Sequence, residues 1–240
     1  MILDPLLDQL DYQARVQDIR VGVFHTAVFT RDCGLAASLP RDALRQSPPL
    51  VQESGLLLDK SPLELTRLIT SQSILESAVG MATLNSLLQV RTEDCLELNA
   101  ADIILERGRG KDVAIVGHFP FIPRVKDVAR NLWVIEKNPQ QGDFSESEAE
   151  SLLPRADLVA ITGTAFTNKT MENLLRLCYP KAYVIVLGDS APLSPLLFDL
   201  GIDAVSGTRV VDPELALRCV SQGANFRQIR GIRKLTMLRG

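Results

Sequence analysis

A glycine and an acid, each at the end of an apolar run, are the first residues in this sequence that suggest chemistry. Gly117 closes the segment "VAIVG", and Glu136 closes "NLWVIE" roughly 20 residues later. This spacing is typical of nucleotide-binding units, in which the acid accepts hydrogen bonds from the two hydroxyls of a ribose. A bulky loop, His118-Phe119-Pro120, stands where a dinucleotide site would have further glycines. The pair therefore predicts a nucleoside-type ligand without a closely held pyrophosphate; the alternative is a tight turn and a solvated acid.

Small and polar residues also follow the other apolar runs of this region. Because the carboxyl ends of parallel strands meet at one edge of a sheet, we expect these residues to form one ligand site. Hydroxyls and free amides at the start of a helix suit an anionic or carboxylate ligand, and Asn168 is expected to cap the helix that follows. Simple capping without a ligand is the alternative. The predicted ligand-binding residues are Gly117, His118, Phe119, Pro120, Glu136, Asn138, Thr162, Gly163, Thr164, Asn168, Gly188, Asp189 and Ser190.

Histidines and cysteines are few and scattered. His118 is the candidate general acid or base because it follows the first strand end, although a lone loop histidine can also be structural. His25, in the first half, is expected to pack or to form an interface contact. The cysteines are interpreted as buried reduced thiols, since none forms a C-x-x-C pair; they are Cys33, Cys95, Cys178 and Cys219. The sequence shows neither a preformed metal site nor a catalytic triad.

Two different element patterns position these residues. After about residue 110, apolar strands alternate with helical segments, one of them starting at Pro192, which predicts a doubly wound α/β domain with a parallel sheet. The first half instead has an expected helix near residues 6–16, two β-rich runs suggesting an antiparallel hairpin or meander, a loop with a short helix in residues 39–55, and then helices. Ser61 and Glu64 predict a capping box. We place the division at residues 1–95 and 96–240. The basic C-terminal run predicts a solvated face or a final strand, or alternatively a patch for a partner or phosphate.

The composition excludes some classes of partner. The net charge of -3 gives no overall attraction to nucleic acid or anionic membrane, and no apolar run approaches the roughly 20 residues that span a bilayer. The N-terminal segment lacks the basic start of a signal peptide, so we expect a cytoplasmic protein. Gly80, Ala82 and Ser86, on an apolar helix, would permit close approach of another backbone. Packing within the domain is the expected use, and contact in a homo-oligomer is the alternative.

The strand ends, taken in order, resemble those of a known family. "VGHFPF", "EKNP", "LLPRADLVAITGTAFTNKT" and "GDSAPLSPLLFDLGIDAVSGTRVVD" are similar to the Rossmann-like domain of unknown function described as "putative heavy-metal chelation". "VGVFHTAVFT", "CGLAASL" and "ESAVGMATLNSLL" resemble its partner domain, which has an enolase-N-terminal-like α+β fold. The resemblance covers nearly the whole chain. One position departs, since the family usually has Gly-Pro-Ser where this chain has Gly188-Asp189-Ser190; the acid argues against simple anion binding there.

The resemblance implies a fold more firmly than a function. It implies a link to the metabolism of metal chelators, by analogy with chelator-synthesising enzymes, some of which use S-adenosylmethionine. The residues themselves favour an interdomain cleft for a small polar or nucleoside-type metabolite, with S-adenosylmethionine as a compatible cofactor. Two other hypotheses stay open at this point: direct metal binding through Asp189, Glu136, His118 or cysteines, and a non-catalytic sensor or scaffold.

Overall fold

The computed structural model describes residues 2–47 and 50–240 as ten strands, ten α-helices and six short 3-10 helices. The strands are β1 Asp18–Val21, β2 His25–Phe29, β3 Cys33–Ala37, β4 Asp112–Val116, β5 Asn131–Glu136, β6 Phe144–Ser145, β7 Leu158–Thr162, β8 Tyr183–Leu187, β9 Ala204–Val210 and β10 Ile232–Leu238. The α-helices are α1 Asp4–Leu7, α2 Pro40–Arg45, α3 Pro62–Arg67, α4 Ile74–Leu87, α5 Ala100–Arg107, α6 Ile122–Lys126, α7 Ala149–Leu152, α8 Thr164–Thr167, α9 Met171–Leu177 and α10 Pro213–Ser221. The 3-10 helices are Leu57–Asp59, Leu68–Thr70, Thr92–Asp94, Glu146–Glu148, Leu153–Arg155 and Pro195–Leu200.

The first half of the chain forms a small antiparallel sheet in the order β1-β2-β3, covered on one side by α4. Gly34, on β3, allows this close packing, because a Cβ atom there would lie 2.1 Å from the carbonyl oxygen of Ala82 and 2.4 Å from the nitrogen of Ser86. The antiparallel pairing of the β-rich runs is confirmed, and the meander alternative holds because β3 pairs with β2. The bounds of β3 were not predicted, since "CGLAA" has none of the β-branched or aromatic residues that mark a strand.

Helix α4 is buried along nearly its whole length. Gly80 packs against the 3-10 helix before α4, where a Cβ atom would lie 2.3 Å from the nitrogen of Ile69. The Ser77 hydroxyl donates to the carbonyl of Thr167 at 2.7 Å, which ties α4 to α8 of the second half. The small residues of this helix therefore serve packing within the chain, as expected, and a homo-oligomer stays a prediction.

The second half forms a seven-stranded sheet in the order β10-β9-β8-β7-β4-β5-β6. All neighbouring strands pair in parallel except β10, which runs antiparallel to β9 and confirms a final strand at the basic C-terminal run. The predicted α/β class, with a mostly parallel sheet preceded by a smaller α+β unit, is confirmed. Chain order reverses at β4, because β5 lies on one side of it and β7 on the other. Ligands of open α/β sheets bind at such a switch point.

Several helices differ in length from the predictions. The first helix stops at Leu7 rather than extending to about residue 16. The helix expected after Pro192 begins only at Pro195 and is a 3-10 helix, with the Ser194 hydroxyl accepting a hydrogen bond from the nitrogen of Leu196 at 3.3 Å. The capping box at Ser61 and Glu64 is confirmed. The short helix predicted in residues 39–55 is α2, and Pro48 and Pro49 of that stretch lie outside the described residues.

The link between the two halves lies against the large sheet. Leu96 and Thr236 exchange two backbone hydrogen bonds of 2.8 Å, so the linker pairs alongside the edge strand β10. The proposed division at residue 95 stays a prediction. In residues 2–47 and 50–240, no helix combines the length and apolar character needed to cross a bilayer.

Candidate functional site

The switch point places the ends of β4 and β7 in direct contact. Gly117 has a φ of 108°, a left-handed value that favours glycine, and a Cβ atom there would lie 3.0 Å from the Cβ atom of Thr162. Its nitrogen donates to the carbonyl of Ile135 on β5 at 3.0 Å. Gly117 therefore lets the chain leave β4 in a tight turn between the neighbouring strand ends, as the alternative interpretation had it, and its ligand role stays a prediction.

A first cavity of about 430 Å³ opens over these strand ends. Phe24 and the Leu39–Asp42 segment of the first half form one wall, and the large sheet forms the other. The predicted ligand-binding residues that line it are Gly117, His118, Phe119, Glu136, Asn138, Thr162, Thr164 and Asn168. The structure thus brings together most of the predicted residues in a cavity between the two halves of the chain.

Glu136, at the end of β5, is the acid that a strand end contributes to the first cavity; Asp42 and Glu146 also line it. One carboxylate oxygen, Oε2, accepts a hydrogen bond of 3.0 Å from the nitrogen of the next residue, Lys137. Among the described residues no donor is bonded to the other oxygen, Oε1. A carboxylate has about four acceptor sites, so Glu136 keeps most of its hydrogen-bonding capacity for a ligand.

Amide and hydroxyl groups also line the first cavity. The hydroxyls of Thr162 and Thr164 are 3.0 Å apart. The Asn168 Oδ1 accepts from the hydroxyl of Thr170 at 2.7 Å, while Arg45 of α2 donates to Oδ1 of Asn138, also at 2.7 Å. The expectation that Asn168 caps the next helix is wrong, because Thr170 holds the N-cap position of α9 and Asn168 ends α8.

His118 has an acidic partner that the sequence did not reveal. Its Nδ1 lies 3.4 Å from Oδ2 of Asp143, and that oxygen also accepts a 3.0 Å hydrogen bond from the nitrogen of Gln140. The His118 side chain is 40% exposed, whereas that of Asp143 is 8% exposed. Asp143 precedes the two-residue strand β6, whose brevity left no periodic signal to place it at the sheet edge. A carboxylate at Nδ1 leaves Nε2 available for proton transfer.

A second cavity of about 760 Å³ lies on the other side of the Phe119 loop. His118, Phe119 and Thr162 contribute to both cavities, and Pro120, Gly188 and Asp189 line only the second. Residues that the predictions missed complete its wall: the Leu98–Ala101 segment, Arg124, Ser206–Thr208, Asn225–Arg227 and Lys234–Thr236. These belong to the linker, α6, β9, the loop after α10 and β10, whose pairing with the sheet could not be predicted from local pattern.

A buried ion pair joins the first half of the chain to the loop that follows β8. His25 Nε2 lies 2.5 Å from Oδ2 of Asp189, and the two side chains are 6% and 10% exposed. The other ring nitrogen of His25 lies 3.3 Å from the carbonyl of Ala224. The contact with Asp189 is a close ion pair rather than an aligned hydrogen bond, and Oδ2 has no hydrogen bond to other described residues. Sequence reasoning placed Asp189 at a strand end and expected His25 to pack or to form an interface contact, but it could not pair the two residues across the chain.

The family profile described as "Putative heavy-metal chelation", DUF364, matches residues 99–239, and DUF4213, with the same description, matches residues 3–88. The chain belongs to the DUF364 family. It is 27% identical over 186 residues to the uncharacterized protein MJ0500 of Methanocaldococcus jannaschii, covering 75% of this chain and 72% of that protein.

Two solved structures of DUF364 proteins of unknown function share the fold. The protein from Desulfitobacterium hafniense has a TM-score of 0.88 at 24% identity, over 99% of this chain and 98% of that one. The protein from Pyrococcus horikoshii has a TM-score of 0.85 at 20% identity, over 100% of both chains. At these identities the likeness extends to the fold alone.

In this DUF364 protein, Asp189 changes the behaviour of His25. Burial lowers the pKa of His25, but the close contact with Asp189 and its negative charge, together with the Ala224 carbonyl, outweigh burial and leave the pKa raised. The ring centroid of Phe226 lies 6.2 Å from that of the His25 imidazole, and the Lys234 ammonium lies 4.7 Å from the centroid of the same Phe226 ring. The acid at this departure from the Gly-Pro-Ser pattern is therefore a structural partner of the first half.

The raised pKa of His25 predicts a pH-dependent stability for the DUF364 chain. His25 binds its proton more tightly in the folded chain than in the unfolded chain. Its contribution to the free energy of unfolding is therefore fully present below the unfolded pKa of about 6.5. It is lost as pH rises through the higher folded pKa. Urea titrations at a series of pH values from weakly acidic to weakly basic should show a falling free energy of unfolding that flattens in His25→Gln. His118→Gln, at the half-exposed histidine, should keep the slope; an equal flattening there would contradict the assignment.

Two predicted ligand residues line neither cavity. Gly163 packs against the following loop, since a Cβ atom there would lie 2.5 Å from the nitrogen of Ala191. The Ser190 hydroxyl accepts a 2.8 Å hydrogen bond from the nitrogen of Ala37 at the end of β3. Both contacts hold the loop after β8 against neighbouring backbone, and a ligand role for these residues stays a prediction.

The metal-ligand chemistry of the DUF364 chain is sparse. In the part of the chain that the structure describes, no three histidine, cysteine or acidic residues gather as a metal-binding group. Burial raises the pKa of the Cys33 thiol to about 12, with the charges of Asp18 and Asp32 adding to the effect, and burial alone does so for Cys178. These thiols are protonated at neutral pH, and the thiolate is the form that binds metals.

Proposed function

We propose that this DUF364 protein binds a small polar metabolite of nucleoside type in the first cavity, between the two halves of the chain. The observation that carries the proposal is Glu136, whose Oε1 has no donor among the described residues, at the end of β5 beside the Gly117 turn. An acid at this place in an α/β sheet is suited to accept hydrogen bonds from both hydroxyls of a ribose.

The remainder of the cavity suits the other parts of such a ligand. Its volume of about 430 Å³ is in the range of small-molecule sites. Val116, Ile135 and Leu174 supply apolar surface for a base, and the hydroxyls of Thr162 and Thr164 supply partners for polar ends. Ligand sites generally combine apolar walls with a few polar groups in this way.

The loop after β4 favours ligands without a tightly held pyrophosphate over dinucleotides. His118-Phe119-Pro120 carries bulky side chains where a pyrophosphate site needs glycine backbone, and Phe119 stacks on Phe121 at a centroid distance of 5.2 Å. A nucleoside without a tightly held pyrophosphate, such as S-adenosylmethionine, fits this loop better than NAD. His118, with Asp143 at Nδ1, would serve as general acid or base if the ligand reacts.

Isothermal titration calorimetry of the full chain tests the proposal directly. S-adenosylmethionine, adenosine, ATP and NAD would be titrated under the same buffer and salt. We expect the first two to bind more tightly than NAD, because they do not need a pyrophosphate cradle. Tighter binding of NAD, or no heat of binding with any of the four, would contradict the proposal.

Direct metal handling is the alternative that the family description suggests. The candidate ligands are His118 and Glu136, which line the first cavity, and Asp143, which pairs with His118, although they do not form a preassembled group among the described residues. Metal analysis of protein purified without chelator or affinity tag separates the two functions. Near-stoichiometric metal that is lost in His118→Ala would favour metal handling, whereas a metal-free protein that binds S-adenosylmethionine would favour the metabolite site. A protein that binds neither would favour a non-catalytic sensor or scaffold and would argue against a role in chelator biosynthesis.

A further inference from the structure

The second cavity contains a buried carboxylate that the protein only partly satisfies. The Asp189 side chain is 10% exposed, and it lines this cavity. Its one close partner among the described residues is Nε2 of His25, at Oδ2. Buried carboxylates normally accept several hydrogen bonds, since an unsatisfied one is costly. The other oxygen, Oδ1, has no donor among the described residues, so the cavity presents an acceptor for a donor from outside the protein.

Positively charged side chains lie elsewhere on the wall of the same cavity. Arg124, Arg227 and Lys234 all contribute to its lining. Arg124 has an exposed ion pair with Asp102 at 3.3 Å, whereas the Arg227 guanidinium has no hydrogen bond or ion pair to other described residues. The cavity therefore combines one buried negative group with basic side chains that can receive an anion.

Aromatic rings also line the second cavity. They belong to Phe119, Phe121 and Phe226, and Lys234 already lies over the face of Phe226 at 4.7 Å. Aromatic faces attract ammonium groups and also pack against hydrocarbon. A ligand with an ammonium group, an apolar middle and an acid group matches this set of surfaces.

We infer that the second cavity is a binding site for an aminocarboxylate, with the ligand ammonium on Asp189 and its carboxylate on the basic wall. An ammonium group has three donors, which the free capacity of the Asp189 carboxylate can receive. His25 acts as a positioning residue, because it holds Oδ2 and leaves Oδ1 toward the cavity. The site uses Asp189 and the C-terminal segment, not Glu136, and so stands independently of the nucleoside site.

Matched small molecules test the charge requirement without any mutation. L-phenylalanine, L-leucine and L-lysine would each be titrated calorimetrically beside the Nα-acetyl form and the decarboxylated amine. We expect at least one free amino acid to bind, and acetylation or loss of the carboxylate to weaken it about tenfold or more, because each removes a charged partner. Equal binding of the acetylated form, or no binding of any of the three amino acids, would overturn the inference.

Variants then locate the site. Asp189→Asn keeps the size of the side chain and a contact for His25, and it should weaken the amino acid about tenfold or more. Asp199→Asn, the same change at an exposed position between β8 and β9, is the matched control and should bind as the original chain does. Unchanged affinity in a folded Asp189→Asn protein would show that the amino acid binds elsewhere. If Asp189→Asn does not fold, the same loss is expected from Arg227→Gln, and its absence there would count against the site.

Discussion

Replacing Gly34 with alanine is expected to give the largest loss of stability among single small substitutions in the first half. The new methyl group would lie 2.1 Å from the Ala82 carbonyl oxygen and 2.4 Å from the Ser86 nitrogen. Both are backbone atoms of the buried helix α4, so neither can rotate away as a flexible side chain would. Either α4 or β3 must shift, and overpacking of this kind costs about 1–3 kcal/mol, with Gly34→Ala expected near the upper limit. Urea denaturation measures the change as a lower midpoint.

A second glycine controls for the general effect of adding a methyl group. Gly142 has a φ of 95°, and a Cβ atom there meets nothing within 4 Å. Gly142→Ala therefore has the cost of the left-handed backbone without a clash, about 1 kcal/mol. If Gly34→Ala is no more destabilising than Gly142→Ala, the close approach of β3 and α4 does not limit stability.

Loss of the Glu136 carboxylate is expected to have the largest effect on binding. Glu136→Ala removes the acceptor that we assign to the ribose hydroxyls, while the rest of the cavity wall stays. Hydrogen bonds to a charged group contribute about 1.5–3 kcal/mol, so the affinity for the nucleoside ligand should fall about 10- to 100-fold. Glu136→Gln should give a smaller loss, because its amide oxygen still accepts one hydrogen bond. Calorimetry with the tightest-binding nucleoside of the proposed panel measures both changes.

Glu150→Ala provides the matched control for Glu136. It removes the same side chain from the exposed face of α7, away from both cavities, and should leave the affinity unchanged. An affinity in Glu136→Ala equal to that of Glu150→Ala would show that the acid does not hold the ligand. Unfolding midpoints of the two variants should be compared first, since a loss of binding counts only in a folded protein.

The parallel sheet was predictable because its strands are continuous apolar runs. Residues 113–116, 158–162 and 183–187 contain almost only apolar residues, and each forms a strand buried in the middle of the sheet. Two other elements were not predicted correctly. Strand β3 lacks strand-forming side chains, and the helix expected from Pro192 begins only at Pro195 and is a 3-10 helix. In both cases tertiary packing, rather than local preference, selects the conformation.

The candidate site was predictable at the strand ends and not beyond them. Gly117 and Glu136 follow from the rule that ligands bind at the carboxyl edge of a parallel sheet. Asp143 and His25 do not, because their partners lie 25 and 164 positions away in the chain, as His118 and Asp189. Contacts of this kind depend on how loops and domains meet, which residue spacing alone does not encode. The basic wall of the second cavity was missed for the same reason.

The hydrogen bond from the Ala37 nitrogen to the Ser190 hydroxyl makes one backbone amide a reporter for both halves of the molecule. This amide can exchange with solvent deuterium only when the end of β3 separates from the loop after β8. A ligand that tightens the contact between the halves should therefore slow exchange at Ala37, even though Ala37 lines neither cavity. Exchange at this single position would therefore report ligand binding in either cavity through the contact between the two halves.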